Sequence, residues 1–172
     1  MHKDALAKAT FDDEGAATYT KNVIENGTFT TFLHNLATAT KAGVKTTGNG
    51  YKASYASPVG VNHYSFYINP VKGSLEDLFA EAGNGLYITS VEGMHAGANP
   101  ITGDFSISSE GFLIEDGAKG RPVKQFTISG NFYELLKKIA LVGSEMKLGT
   151  PRMGCCFGAP TIMVKDISVA GK

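Results

Sequence analysis

Apolar and polar residues alternate in three neighbouring segments of the chain, which is the period of a half-buried β-strand. The alternating apolar pairs are Phe105 and Ile107, Phe112 and Ile114, and Phe126 and Ile128. This pattern predicts a meander of three strands over residues 104–108, 111–115 and 121–129. Asp116-Gly117 predicts a tight turn before the last of them, because both residue types tolerate positive φ.

A helical spacing of apolar residues marks three other segments, and Ser74 and Asn131 can cap the second and third of the predicted helices. We expect a short helix near residues 35–42, ended by Gly43, and a second helix over residues 74–83. A third is predicted to begin at Asn131, to carry an apolar stripe as far as Ile139 and to close at Gly143.

Turn-forming residues divide the remaining chain into short pieces. Asn26-Gly27 predicts a hairpin with arms over residues 18–25 and 28–33. Residues 43–62 lack a period and predict a loop, whereas residues 63–68 and 86–91 predict strands. A last strand pair is expected over residues 162–169, with a bulge at Lys165-Asp166 where the alternation breaks.

These elements predict a mainly β protein with a few short helices, of the α+β class. The helices are too few to cover a parallel sheet on both faces, so we expect antiparallel sheets curled into a barrel-like or sandwich domain. Residues 1–16 are interpreted as a polar lead-in, and residues 17–172 as a single domain.

Composition narrows the possible partners. Lysine plus arginine equals aspartate plus glutamate, at 16 each, so the chain lacks the basic excess that attracts phosphate backbones, and no nucleic-acid partner is expected. No apolar run approaches the length of a membrane span, so no membrane partner is expected. Cys155 and Cys156 are adjacent and provide no disulfide framework. The expected location is cytoplasmic.

Few residues suggest chemistry by their pattern. His95 lies in a loop of small residues, 92–100, which a ligand could approach closely, although a satisfied loop histidine explains it as well. Asp104 is an acid or, by default, a turn cap. Cys155 and Cys156 could be nucleophiles or ligands, but small buried residues explain them more simply. The acidic run of residues 12–14 is interpreted as solvated.

Short motifs that follow one another along most of the chain carry a resemblance to a known family. They are Phe-Asp-Asp-Glu-Gly at 11–15, Ile-Glu-Asn-Gly at 24–27, Thr-Gly-Asn-Gly at 47–50, Gly-Ala-Asn-Pro-Ile-Thr-Gly-Asp-Phe-Ser at 97–106, Gly-Phe-Leu-Ile-Glu-Asp-Gly at 111–117, Ile-Ser-Gly-Asn at 128–131 and Val-Ala-Gly at 169–171. In this order they resemble the C-terminal region of the TldD/PmbA family, and the 99–104 block is closer to the PmbA-type pattern.

The resemblance implies a place in a two-subunit peptidase assembly that processes peptides or small unfolded proteins. In that family a TldD-type subunit holds zinc through a His-Glu-x-x-x-His helix and a C-terminal cysteine, and the PmbA-type subunit, also called TldE, has no metal. This chain has no His-Glu-x-x-x-His. Cys155 and Cys156 do not match the ligand cysteine, which would fall near Met146. We therefore expect no catalytic residue, metal or cofactor in this chain, and zinc only in a TldD-type partner.

The implied partners are a TldD-type subunit or a second copy, and an extended peptide held by edge pairing. Candidates for lining the groove are His95, Asn99, Asp104, Thr47 and Asn49. Two other interpretations stay open: a binding protein that modulates DNA gyrase, as the family has been described, and a free-standing cysteine-dependent hydrolase. The chain is interpreted as a fragment of a longer protein or a natural short form.

Overall fold

A computed structural model describes residues 7–171, which form two compact units. The first unit runs to Ile68 and takes in Lys147–Ala159, and the second contains Asn69–Met146 and the chain from Pro160 onward. That residues 17–172 form one domain stays a prediction. None of the helices of the described chain is long and apolar enough to cross a membrane.

The elements follow one another in this order: β1 (Ile24–Glu25), β2 (Thr28–Phe29), α1 (Leu36–Ala42), β3 (Gly50–Tyr51), β4 (Gly60–Val61), β5 (Ser65–Tyr67), α2 (Leu75–Ala82), β6 (Gly85–Glu92), α3 (Met94–Gly97), β7 (Asp104–Glu115), β8 (Ala118–Asn131), α4 (Phe132–Lys137), β9 (Ile139–Val142), β10 (Lys147–Leu148), β11 (Cys156–Ala159), β12 (Ile162–Val164) and β13 (Ser168–Ala170).

Small sheets and one helix make up the first unit. The hairpin β1–β2 turns at Asn26 and Gly27, whose φ angles of 49° and 77° confirm the predicted tight turn. β3 pairs with β4, and β11 lies between β10 and β5, pairing in parallel with β5. Asn35 caps α1 by accepting from the Thr38 amide, and Gly43 ends the helix at φ 69°, as predicted.

The second unit is built on an antiparallel sheet with strand order β13-β8-β7-β6. Ile107, Phe126 and Ile128 are its buried core, against which residues of β6, β7 and β8 pack. The predicted helix after Ser74 is confirmed as α2, and its Phe79 ring contacts Tyr87 of β6 at a centroid distance of 5.1 Å. β9 and β12 form a separate pair.

The mainly β composition with short helices is confirmed, but the prediction of a barrel is wrong. None of the sheets formed by residues 7–171 closes on itself. The large sheet ends at two edge strands, β6 and β13, and every other sheet has two or three strands of two to four residues. Closure into a barrel needs continuous pairing around the whole circumference, which strands this short do not supply.

Three predicted boundaries are also wrong. The first two strands of the meander are one strand, β7, because pairing with β6 and β8 continues through residues 109–111, where the register shifts. The helix that begins after Asn131 ends at Lys137, and the following apolar residues pair with β12 as a strand. β12 and β13 join different sheets, because Asp166 at φ 55° redirects the chain between them.

Candidate functional site

Asp12 is a buried carboxylate that joins the acidic motif to the Thr-Gly-Asn-Gly loop. Its side chain is 2% exposed. One oxygen accepts from the amides of Glu14 and Ala16 at 3.0 and 2.9 Å, and the other accepts from the Gly50 amide at 2.7 Å. Three donors satisfy the charge, which makes its burial tolerable.

The expectation of a solvated acidic run is therefore wrong for Asp12, because its carboxylate binds backbone amides instead of water. That residues 1–16 form a polar lead-in stays a prediction. Residues 1–6 of the expected lead-in lie outside the described residues.

Glu14 and Gly50 complete this junction. Glu14 Oε2 accepts from the Leu36 amide at 2.7 Å, at the first turn of α1, where helical amides lack partners. A Cβ atom at Gly50 would lie 2.7 Å from Glu14 Oε2 and 3.0 Å from Asp12 Oδ2. A glycine is thus required for the loop backbone to approach both acids.

The two candidate residues in this loop, Thr47 and Asn49, are buried, at 5% and 4% exposure. Thr47 Oγ1 accepts from the His34 amide at 2.6 Å and donates to the His34 carbonyl at 3.1 Å. Asn49 Oδ1 accepts from Lys21 Nζ at 3.0 Å, and Lys21 Nζ also donates to the Thr47 carbonyl at 2.7 Å. Both side chains therefore hold the loop in place from inside the first unit.

A chain of hydrogen bonds continues from Asn49 to a cysteine. Asn49 Nδ2 donates to the Asn62 carbonyl at 2.7 Å, and Asn62 Nδ2 donates to Cys155 Sγ at 2.8 Å. Asn62 Oδ1 accepts from the His63 amide at 2.9 Å. Asn62 therefore connects the loop to the turn that precedes β11. Cys155 is half-buried, whereas Cys156 is 1% exposed, in keeping with a small buried residue.

A cleft of about 340 Å³ opens beside this turn, within the first unit. Its lining residues are Asp13, Gly50, Tyr51, Lys52, Asn62, His63, Tyr64, Met153 and Gly154. Met153 and Gly154 form a two-residue turn at φ 50° and 75°, closed by paired backbone hydrogen bonds between Arg152 and Cys155. The Met153 side chain is 75% exposed. The volume is near the lower limit for small-molecule pockets.

Burial and charge perturb the titratable groups around the cleft. The His63 ring packs against Phe157 and Phe66, with distances between ring centroids of 4.4 and 5.8 Å. Burial lowers the pKa of His63, so the imidazole is neutral at pH 7. Its Nε2 is buried without a partner among the described residues. The pKa of Tyr64 is raised, mainly by burial. The nearby charges of Asp13, Asp12 and Cys155 raise it further. The Tyr64 hydroxyl therefore stays protonated.

The other three candidates lie at one corner of the second unit, around α3 and the start of β7. His95 is exposed in the short helix α3, which replaces part of the predicted loop. Asn99 Oδ1 accepts from the amides of Ile101 and Thr102 at 2.9 and 3.2 Å and closes a turn. Asp104 Oδ1 accepts from Asn131 Nδ2 at 2.9 Å.

Hydrogen bonds from Asn131 and then from Thr102 lower the pKa of Asp104. Asp104 thus stabilises the turn that Asn99 forms, which is the role of a turn cap. Thr47 and Asn49 lie in the first unit, and His95, Asn99 and Asp104 lie in the second. Whether any of them contacts a ligand stays a prediction.

Sequence reasoning missed the residues that line the cleft, since it assigned residues 43–62 to a loop and expected residues 63–68 to form a strand. The available signals were Met153-Gly154, a turn pair next to two cysteines, and the tyrosines that flank the loop.

The described residues do not supply a metal site. Among residues 7–171, no group of three or more His, Cys, Asp or Glu side chains is arranged to hold an ion. Within this range, Cys155 Sγ contacts the Asn62 side-chain amide and the Met153 carbonyl. These two groups do not complete a set of metal ligands around the sulfur.

Known proteins resemble this chain in sequence and in structure. Residues 1–171 match the family described as PmbA/TldA metallopeptidase C-terminal domain. Metalloprotease PmbA of Escherichia coli O157:H7 is 32% identical over 97% of this chain and 33% of that protein. Across the curated relatives, the matched part is about a third of their length.

Two crystal structures are similar to the chain as a whole. A protein of Thermotoga maritima MSB8, described as a proposed modulator of a DNA gyrase, has a TM-score of 0.87 and 42% identity over 99% of this chain and 37% of that one. TldE from Thermococcus kodakarensis has a TM-score of 0.83 and 32% identity, over 95% of this chain and 36% of that one.

Proposed function

Because the chain belongs to the family of PmbA/TldA metallopeptidase C-terminal domains, we propose that it is the metal-free, peptide-holding part of a TldD/PmbA-type peptidase complex. In this proposal the chain binds an extended peptide or a segment of a small unfolded protein along the free edge of its large sheet. A TldD-type partner supplies the zinc and the hydrolytic step. A cytoplasmic location remains part of the proposal.

The observation that carries the proposal is the outer edge of β6. The strand runs for eight residues and pairs with β7 on one side, while no strand of the described chain pairs with its other side. An unpaired edge presents backbone donors and acceptors that another extended chain can use. Such pairing depends mainly on the backbone, which suits a protein that must hold peptides of varied sequence.

β6 lacks most of the features by which proteins protect a free edge. It contains no Lys, Arg or Pro, and its single irregularity is a bulge at Thr89, between Ile88 and Ser90. The opposite edge strand, β13, is only three residues long and offers little surface for pairing. The geometry therefore favours β6 as the peptide-binding edge, with Gly85–Ile88 as its regular part.

Hydrogen exchange tests the edge directly. An unstructured peptide of about ten residues is added to the 172-residue chain, and amide exchange is measured by mass spectrometry or NMR. Slower exchange is expected in β6 and not in β13. If the peptide saturates the protein and β6 exchange is unchanged, the edge is not the binding surface.

A matched peptide provides the control. N-methylation of every second amide removes the donors on one edge of the peptide and leaves its side chains in place. The two registers of methylation should differ, since an edge strand presents its outward hydrogen-bonding groups at alternate residues. Equal binding of both methylated peptides and the parent would contradict backbone pairing.

The metal-free part of the proposal has a separate test. Metal analysis of the purified chain is expected to give well under one zinc per chain, and peptide cleavage should require an added TldD-type protein. One tightly bound zinc per chain, or zinc-dependent cleavage by the chain alone, would overturn this assignment.

A cysteine hydrolase receives less support from the site. A cysteine nucleophile needs a base within hydrogen-bond reach, and the described partners of Cys155 Sγ are an amide and a carbonyl. Cleavage of a denatured protein that is lost in Cys155→Ser would nevertheless favour it. The Thermotoga maritima protein is described as a proposed modulator of a DNA gyrase, and a stable complex of this chain with gyrase on a sizing column would bring that role to this chain.

A further inference from the structure

The geometry points to the cleft beside the Met153-Gly154 turn as a binding site for an alkylammonium group. Its ligand would be a lysine side chain of a peptide or a free alkylamine. The inference concerns the first unit only and does not depend on peptide binding by β6.

The walls of the cleft combine a carboxylate with aromatic and thioether groups. Asp13 lines it, with Oδ2 accepting from the Lys52 amide at 2.7 Å. Tyr51, Tyr64 and Met153 line it as well. Aromatic faces attract cations, and a nearby carboxylate supplies the opposite charge. The methylene stem of an alkylammonium group would contact the rings and the thioether.

The charges around the cleft favour a cation over an anion. Lys52 also lines the cleft, but its ammonium group donates to the Tyr55 carbonyl at 2.9 Å. His63 is neutral at pH 7, because burial lowers its pKa. The Coulombic effect of Asp13 and Asp12 on Tyr64 indicates a negative field at the wall. An alkylammonium group would therefore be attracted by this field, and an anion would be repelled by it.

Size distinguishes this site from a groove for a whole peptide. A cleft of about 340 Å³ accommodates one side chain or a small amine, whereas an extended backbone needs a longer surface. His63 Nε2, which is buried without a partner among residues 7–171, shows that part of the wall is already desolvated. Desolvation strengthens a charge interaction at the site.

Single-residue probes test the inference without any strand pairing. The 172-residue chain is titrated with Nα-acetyl-lysine amide, Nα-acetyl-norleucine amide and Nα-acetyl-glutamate amide, and amide shifts are followed by NMR. The lysine derivative should bind about fivefold or more tightly than the norleucine derivative, and binding should weaken with added salt. Shifts are expected at Tyr51, Lys52, His63 and Gly154.

Two variants make the same chemical change at different places. Asp13→Asn removes the cleft charge and should reduce the preference for lysine over norleucine to about twofold or less. Asp116→Asn, on the β7–β8 turn of the second unit, should leave the preference unchanged. Both positions are exposed, so neither variant is expected to unfold the protein.

The sources of the ammonium group are separated by n-butylamine, which has the lysine stem without a backbone. Equal affinity for n-butylamine and the lysine derivative assigns the site to free amines, and tighter binding of the lysine derivative assigns it to peptides. The inference is overturned if norleucine or glutamate derivatives bind as tightly as lysine, or if no lining amide shifts. Failure here leaves the β6 edge untested, since these probes cannot form a strand.

Discussion

Asp12 offers the sharpest test of how the first unit is held together. Replacing Asp12 with alanine removes acceptors from three backbone amides, those of Glu14, Ala16 and Gly50. An unsatisfied buried donor costs about 1–3 kcal/mol, so the expected loss is at least about 3 kcal/mol if water does not enter. Whole domains are stable by about 5–15 kcal/mol, and such a loss is large on that scale.

Asp12→Asn gives a graded result. One amide oxygen can replace the carboxylate oxygen that accepts from Glu14 and Ala16, but the new amide group then faces the Gly50 donor. The expected loss is about 1–3 kcal/mol, from that one bond. Asp13→Asn is the matched control: its neighbouring carboxylate is exposed, and a change within about 0.5 kcal/mol is expected.

Urea unfolding followed by circular dichroism measures these losses, with equal m-values as the check on two-state behaviour. Because the chain has two compact units, amide exchange at Gly50 should be followed as well, so that the loss is assigned to the unit that holds Asp12. A midpoint for Asp12→Ala equal to that of Asp13→Asn would refute the reasoning.

Three further predictions concern the backbone and pH. Gly48→Ala should lower the free energy of unfolding in urea by more than about 3 kcal/mol, because Gly48 has a φ of 66° and an added Cβ would collide with the Ala17 carbonyl. Gly27 has a φ of 77° with open space around it, so Gly27→Ala should lower it by only about 1–2 kcal/mol. The folded chain should lose stability as pH falls below the ordinary His63 pKa of 6.5, because burial lowers that pKa in the folded state and unfolding then takes up a proton. His63→Phe should flatten the dependence of stability on pH below 6.5. Ser74→Ala should lose about 1 kcal/mol by removing the cap of α2, as measured by thermal unfolding.

Local signals in the sequence identified the elements that depend on local chemistry. Asn26-Gly27 and Asp116-Gly117 adopt the positive φ angles that their turns require, and Asn35 and Ser74 cap the helices they were expected to begin. Each of these features is decided by a few neighbouring residues, so periodicity and turn chemistry suffice to find them.

Features that depend on distant contacts were not predictable in the same way. The break expected between residues 108 and 111 does not occur, and only the position of the Tyr87 backbone shows that Gly111 serves close packing between strands. The acidic run around Asp12 has the composition of a solvated segment, and its burial is decided by the Gly50 amide, 38 positions away. Neither the Gly111–Tyr87 contact nor the Asp12–Gly50 contact can be predicted from a local pattern, because the two residues are far apart in the sequence.

In the first unit, the residues of the Thr-Gly-Asn-Gly motif support the loop, and other residues line most of the cleft. The motif therefore did not reveal the cleft. Thr47 and Asn49 bind backbone groups and Lys21 in the interior, so their residue types are fixed by the loop that they support. Among the side chains that line the cleft, those of Asp13 and Met153 are exposed. A substitution of Asn49 should therefore disturb folding and ligand binding together, whereas a substitution of Asp13 should change ligand preference alone. If the polar loop supports the cleft, the Asn49 substitution should affect stability and binding, and the Asp13 substitution should affect binding alone.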